Sequence, residues 1–406
     1  MQSVTTREYY QKLYPYDQLV NWLTSQGHAL ERIEFAMEGR SADGAKIYKR
    51  YVVATSAASL RRQVGAFTGI RAFHIGGIYP EVCDRKSAPT ERMFSVDIDL
   101  TDYDFLTLTD ASGEVSAALC DKAYPVAAFA LFVLRHLLEH GFGFQRILCC
   151  YSGRRGVHLH VMDEVALQLD NEGRSAVAAF LNINLTKDKT EDGKPKRAMP
   201  SVRKLAAMYG LMDAVMDAFT RSVVGEMDLF DDCNNRLKFL ERLDLTHRSL
   251  ESLAADAVDE DSGPAAWELM RTRVLNAGVP WFEERLHETV LAYLWPRMDE
   301  KVSTSLNHCI KAPFCAHASS RRVAIALPKA SYTNWDPATA PSLDAWDKDA
   351  WHRAQQALAP RSTPEPEEEE EAVADIENVV PRSIPRPRPP PRKLTFKRKR
   401  SPLVPN

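Results

Sequence analysis

The run MFSVDIDLTDYD carries two aspartates, Asp97 and Asp99, on either side of Ile98. On an extended strand successive side chains alternate faces, so both carboxylates point one way while Val96 and Ile98 point into the core. Two carboxylates on one face are a natural seat for divalent cations that prefer hard oxygen ligands, Mg²⁺ or Mn²⁺. Phosphoryl transfer commonly uses two such ions, one on the attacking and one on the leaving oxygen. The same pattern also fits a solvated strand face.

A second group is Ser152-Gly153-Arg154-Arg155-Gly156-Val157-His158. Glycines around two arginines let the backbone approach an anion closely. The guanidinium fork matches phosphate oxygens, and Ser152 and His158 add donors. A basic hairpin tip is the other reading. His158 and His160 share a strand face, so a zinc pair is conceivable, but no third soft ligand lies nearby in the sequence. A third group follows Trp295: Asp299 could complete a metal site, and Lys311 is a compact positive charge suited to a triphosphate. A polar loop with satisfied histidines, among them His308 and His317, would look the same.

The elements that would position these residues can be read from periodicity. Strand-like runs occur at Ile47–Ala54, Phe73–Tyr79 and Met93–Leu100, and Ile147–Ser152 with Val157–Met162 reads as a hairpin. Residues 8–24 carry aromatic and leucine residues at helical spacing, interrupted at Pro15, and Val126–His140 reads as a buried helix. Leu205–Val224, Asn235–Leu243, Ser249–Ala257, Ala265–Leu275 and Glu283–Leu294 read as amphipathic helices, with the charged loop Lys187–Arg197 before them. Arg322–Leu327 reads as a strand. The composition divides the chain into a mixed section over 1–165 and 295–350, a helical insert over 166–294, and a tail over 361–406.

The chain has 406 residues, 45% hydrophobic and 26% charged, with a net charge of −3. That suits a globular protein. It does not advertise nucleic-acid binding, because an acidic cluster around Glu367–Glu371 masks basic segments. Seven cysteines without a CxxC pair suggest buried free thiols in a reducing compartment. The N-terminal residues lack a signal-peptide core. The most apolar run, Val126–Leu134, is broken by Arg135 and His136, shorter than the ~20 residues a bilayer span requires, so no membrane is expected. The tail pairs its acidic cluster with PRSIPRPRPPPRKLTFKRKRSP. Such a stretch should be disordered, and its basic clusters read as a nuclear-import or nucleic-acid patch.

In this order and wording, VDIDLTDYD, YSGRRGVHLHV and WPRMDEKVSTSLNHCIKAPFCAH resemble motifs of the small subunit of archaeal and eukaryotic DNA primases. The resemblance runs from about Tyr9 to Leu327 and is weak in the helical section. It implies a primase-type mixed α/β catalytic core with an embedded α-helical subdomain. It also implies template-directed joining of ribonucleoside triphosphates into RNA primers for DNA replication. Asp97, Asp99 and Asp299 would then be the catalytic residues, holding two Mg²⁺ or Mn²⁺ ions. Ser152, Arg154, Arg155, His158 and Lys311 would hold the incoming nucleotide's phosphates, with Arg50. Tyr48 and His317 would lie near the sugar, and Glu34 near the active centre. The implied partners are a single-stranded DNA template, a large primase subunit with an iron–sulfur cluster, and the DNA polymerase alpha catalytic subunit, in the nucleus.

Two departures stand out. The family usually carries a four-cysteine zinc cluster after the DxD strand, whereas this chain has Cys120 alone there, so no structural zinc is expected. The acidic residue that the resemblance places on the ribose is His74. That substitution gives weight to a primase–polymerase of damage bypass that uses deoxynucleotides. An inert nucleic-acid-binding or scaffold subunit is the other alternative, and the full set of aspartates and arginines argues against it.

Overall fold

A computed structural model describes residues 3–182, 199–244 and 250–356. Eight strands form two four-stranded antiparallel sheets. The first is built from β1 (Ile33–Arg40), β2 (Lys46–Val52), β3 (Ile70–Ile78) and a short β7 (Ile310–Lys311), in the order β2-β1-β3-β7. The second takes β4 (Phe94–Asp99), β5 (Ile147–Tyr151), β6 (Gly156–Val161) and β8 (Ala326–Leu327), in the order β4-β6-β5-β8. The carboxylate strand and the basic hairpin are therefore neighbours in one sheet, and Lys311 reaches them from the other.

Alternation decides what each sheet presents. In the second sheet Val96, Ile98, Val157 and Leu159 are buried, and the helix Ala117–Phe142 packs over β4 and β6. The opposite face carries Asp97, Asp99 and His158. In the first sheet Phe35 and Phe73 pack with Tyr10, Tyr14 and Tyr16. Glu34, Glu38, Tyr48 and His74 meet on the other side.

The first residues are pinned to the far end of the fold. Tyr9 Oη donates to the Phe314 carbonyl at 2.7 Å and Tyr14 Oη to the Pro313 carbonyl at 2.5 Å. Trp346 and Trp351 close over Tyr9 at ring separations of 5.7 and 5.8 Å. These contacts hold the segment that follows Lys311, where Phe314 adopts φ +63°.

Several elements differ from expectation. The buried helix begins at Ala117 and passes through Pro125, for 26 residues in all. Ser116 caps it by accepting the Leu119 N–H at 3.4 Å, and left-handed Gly143 ends it. Packing against the sheet outweighs the hydrogen bond that Pro125 cannot make. This helix is also long and apolar enough to cross a membrane, because Arg135 and His136 do not interrupt it. Yet 61% of its most apolar window is buried inside the protein, and Arg135 is held by Glu139 at 2.5 Å and Tyr332 at 2.8 Å. It is a core helix.

Leu205–Val224 is not one helix. Gly210, at φ +66°, separates Met199–Met208 from Met212–Ala218, and a π-helical turn runs on from Phe219 to Glu226. Cys233–Leu243, Leu253–Asp259, Gly263–Asn276 and Pro280–Leu294 follow. Of Arg322–Leu327 only Ala326 and Leu327 pair as a strand. The Lys187–Arg197 loop and the 361–406 tail lie outside the described residues. A hollow lined by Leu237, Leu240, Glu241, Leu243, Leu250 and Leu253 lies among these helices.

Candidate active site

Backbone pairing sets the geometry. Asp97 lies opposite His158 and Asp99 opposite Gly156 across β4 and β6. A side chain at position 156 would collide with the Ile98 carbonyl, since a Cβ there would stand 2.1 Å from it. Only glycine lets the arginine turn close on the aspartate strand. Asp299, far along the chain, is delivered by its own N–H, which donates to the Asp97 carbonyl at 3.1 Å, and by the neighbouring bridge between Ile98 and Met298.

The three carboxylates have different surroundings. Asp97 Oδ1 lies 3.4 Å from His158 Nε2, with 36% of its side-chain surface exposed. Desolvation, then the like charges of Asp99, Asp299 and Asp102, push its pKa up to about 6, against the opposing pull of Lys311. Asp99 accepts from Arg155 Nε at 2.8 Å and from the N–H and hydroxyl of Thr101 at 2.9 and 2.8 Å. Asp299 caps the short helix Glu300–Thr304, accepting the Lys301 N–H at 3.0 Å.

As placed, no three His, Cys, Asp or Glu side chains among the described residues are gathered closely enough to hold a metal ion. Hard divalent ions nonetheless fit the donor set. Mg²⁺ at nucleotide sites takes one or two carboxylates and completes its shell with water and substrate phosphates. Desolvation first, and then the like charges of Asp99, Asp299 and Asp102, raise the Asp97 pKa, and a bound cation would relieve the charge gathered there.

Basic groups face this cluster. Lys311 Nζ donates to the Ser152 carbonyl at 2.6 Å, tying the two sheets together. Burial lowers its pKa, as it lowers that of His158, where Lys311 adds a second downward push. His317 is driven to about 3, first by burial and then by Lys311, Arg154 and Arg155. The imidazoles are thus neutral at physiological pH. Arg154 turns away, donating to the Val115 carbonyl at 2.9 Å.

On the first sheet Arg50 is not free. It binds Glu34 through two bonds of 2.7 and 2.8 Å, and Tyr79 Oη adds a third to Glu34 at 3.2 Å. A bulge in β2, where Tyr51 adopts φ +58°, turns Arg50 onto this carboxylate. His74 sits opposite Lys311 in the sheet, with its ring 5.5 Å from that of Tyr48. Burial holds its pKa down to about 4, and its Nδ1 is buried without a partner.

Residues the motifs did not reveal complete the site. Ser320 Oγ donates to the Gly153 carbonyl at 2.6 Å, and Arg322 binds Asp121 by two bonds of 2.6 and 2.8 Å. Ser320 thereby holds the hairpin turn, while Arg322 ties the same segment to the Ala117–Phe142 helix. Arg322 finds its partner Asp121 201 positions away, so no local signal reveals the pairing.

An aspartate-bearing strand, a glycine-bounded arginine hairpin and a lysine from a second sheet converge on one place. The family model for the DNA primase small subunit matches residues 96–327, which span all three. A DNA primase small subunit of Drosophila melanogaster is 29% identical over 351 residues, covering 82% of this chain and 78% of its own. One from Schizosaccharomyces pombe is 26% identical, with 84% and 76% covered. A DNA primase small subunit PriS from Haloarcula marismortui is 28% identical over 208 residues, covering 47% and 49%. With the match reaching from β4 to β8, more than half of the chain, the chain belongs to the DNA primase small subunit family.

Proposed function

We propose that this chain is the catalytic subunit of a DNA primase. It joins ribonucleoside triphosphates on a single-stranded DNA template into short RNA primers for replication. The observation that carries this reading is the delivery of Asp299 onto the Asp97 strand, directly opposite the Arg155 hairpin. In the reaction a 3′-hydroxyl attacks the α-phosphate of a bound triphosphate and pyrophosphate leaves. Two Mg²⁺ or Mn²⁺ ions, held by Asp97, Asp99 and Asp299, would supply charge stabilisation at the attacking and leaving oxygens. Arg155 and Lys311 place positive charge against the triphosphate, with His158 and Ser152 as further donors. Positioning and electrostatics of this kind are the protein's main share in phosphoryl transfer.

The family supports a complex with a large primase subunit, and the sequence resemblance extends the expected partners to the DNA polymerase alpha catalytic subunit. The deciding test is dinucleotide synthesis on a single-stranded template from ribonucleotides against deoxynucleotides. Preference for ribonucleotides is expected. A strong deoxynucleotide preference would favour the damage-bypass reading instead, which His74 supports by offering a neutral imidazole where that resemblance expects a carboxylate.

The enzyme should hold no structural zinc. Cys120 is buried in the Ala117–Phe142 helix, and desolvation raises its thiol pKa, which disfavours the thiolate that zinc requires. His158 and His160 are engaged elsewhere, His158 Nε2 facing Asp97 at 3.4 Å and His160 Nδ1 facing Ser95 Oγ at 3.1 Å. Elemental analysis should find far less than one zinc per chain, and a stoichiometric ion would overturn the expectation.

The tail over 361–406 should act as a nuclear address, given Arg392-Lys393 and Lys397-Arg398-Lys399-Arg400 beside a polyproline run. Deleting it should abolish nuclear accumulation of a tagged protein and leave synthesis by the purified enzyme largely unchanged. Loss of synthesis at low salt with intact localisation would make it a nucleic-acid grip instead.

A further inference from the structure

Arg92 is fully buried, yet among the described residues no carboxylate pairs with it. Its Nη1 donates to the carbonyls of Val302 and Ser305 at 2.8 and 3.2 Å, while Nε and Nη2 have no partner. Burial pulls its pKa down to about 10. A buried cation left partly unsatisfied is costly, and an apolar side chain of similar volume is often the more stable choice. Stability therefore does not explain the residue.

Its targets suggest what does. Val302 and Ser305 lie in and just beyond Glu300–Thr304, the short helix whose N-cap is Asp299. The guanidinium sits where that helix presents its unpaired carbonyls, the end at which a cation is electrostatically favoured. Other ties converge on the same helix. Ser303 Oγ donates to the Ser95 carbonyl at 2.9 Å, two residues before Asp97, and Asn182 Nδ2 donates to Glu300 Oε1 at 3.1 Å. Arg92 is itself braced. Its N–H donates to the Leu167 carbonyl at 3.0 Å, and its carbonyl accepts from Arg174, a second fully buried arginine. Arg174 also binds the carbonyls of Leu169 and Met93 at 2.9 and 3.2 Å.

We infer that Arg92 is a positioning residue for the third carboxylate. It locks the Asp299 helix against the β4 strand, so that Asp299 is presented beside Asp97 and Asp99 for divalent cations. This rests on the proposed metal role of Asp299. Arg92 touches neither substrate nor ion. Its effect reaches them through one short helix.

The test uses the full chain with Arg92→Met, Arg92→Lys and, in parallel, Asp299→Asn. Mn²⁺ binding to the nucleotide-free protein is followed by electron paramagnetic resonance, nucleotide affinity is measured in EDTA, and melting temperature is recorded for each. Loss of a group that orients a metal ligand typically weakens metal affinity about 10- to 100-fold. Both Arg92 variants are expected to lose Mn²⁺ affinity in that range while nucleotide affinity in EDTA stays unchanged. Lysine should not rescue, because its ammonium ends one bond short of the Nη1 that reaches both carbonyls, and a compact, strongly hydrated charge is harder to bury. Should Arg92→Met fail to fold, Arg92→Lys carries the test alone. Mn²⁺ affinity equal to that of the unsubstituted protein would overturn the inference. So would parallel losses of Mn²⁺ binding, nucleotide binding and melting temperature, which mark a merely structural role. If Asp299→Asn leaves Mn²⁺ affinity intact, the metal role of Asp299 fails first, and that outcome is separate from an effect confined to the Arg92 variants.

Discussion

Asp97→Ala and Asp99→Ala are each expected to reduce primer synthesis about a thousandfold or more. That is the order lost when several kcal/mol of transition-state charge stabilisation is removed. The fold should survive, because both side chains face away from the core that Val96 and Ile98 build. At Asp97 stability should in fact improve. Its folded pKa of about 6 lies above the ordinary carboxylate value of 3.8, so folding favours the protonated form. Ionisation therefore costs stability, in full above pH 6 and not at all below about pH 4. An Asp97→Asn variant should melt at a higher temperature than the parent in EDTA at pH 7–8. The advantage should shrink as pH falls from about 6 to about 4 and then vanish. With 36% of the side chain exposed, solvent screening keeps the gain modest. Near-normal synthesis by either alanine variant, with Mg²⁺ or Mn²⁺, would show that the carboxylates hold no catalytic metal.

Arg155→Ala and Lys311→Ala should each weaken nucleotide binding about 10- to 100-fold, the equivalent of the ~1.5–3 kcal/mol typical of a charge-assisted contact. The two losses should differ in kind. Arg155 also binds Asp99 at 2.8 Å, so its removal leaves that carboxylate less compensated and should alter metal affinity as well. Lys311 instead holds the Ser152 carbonyl at 2.6 Å, so its removal loosens the link between the two sheets. Arginine at position 311 should not rescue, since the buried site is shaped for a compact ammonium. Nucleotide titration of both variants decides the matter, and unchanged affinity in both would remove the phosphate-site assignment.

The sequence was most informative where chemistry and local periodicity coincide. The alternation around Asp97 and Asp99 and the glycine-bounded turn at Arg154 and Arg155 gave the β4 strand and the β5–β6 hairpin almost to the residue. Local signals failed where tertiary packing overrode them. Pro125 reads as a helix boundary, yet the helix passes through it, and Gly210 breaks what reads as one continuous amphipathic run. Pairings between distant residues were not legible at all. Nothing local indicates that Arg50 is committed to Glu34 through a bulge, or that Arg92 grips a helix some 210 positions away.

The tyrosines that open the chain also bear on how the enzyme is made. Tyr9 finds its carbonyl partner 305 positions later, and Tyr14 finds its own after 299. Synthesis runs toward the C-terminus, so these hydroxyls wait until residues 313 and 314 have been added. The first sheet cannot gain β7 until Ile310 and Lys311 have left the ribosome. Until then β3 has an open edge, and the aromatic cluster around Tyr9, Tyr10 and Tyr14 lacks Phe314, Trp346 and Trp351 as its cover. Closure across such separations is entropically expensive and slow. A nascent chain that folds this sheet before residue 310 emerges would carry an unpaired strand and uncovered aromatic rings, the kind of surface that chaperones shield.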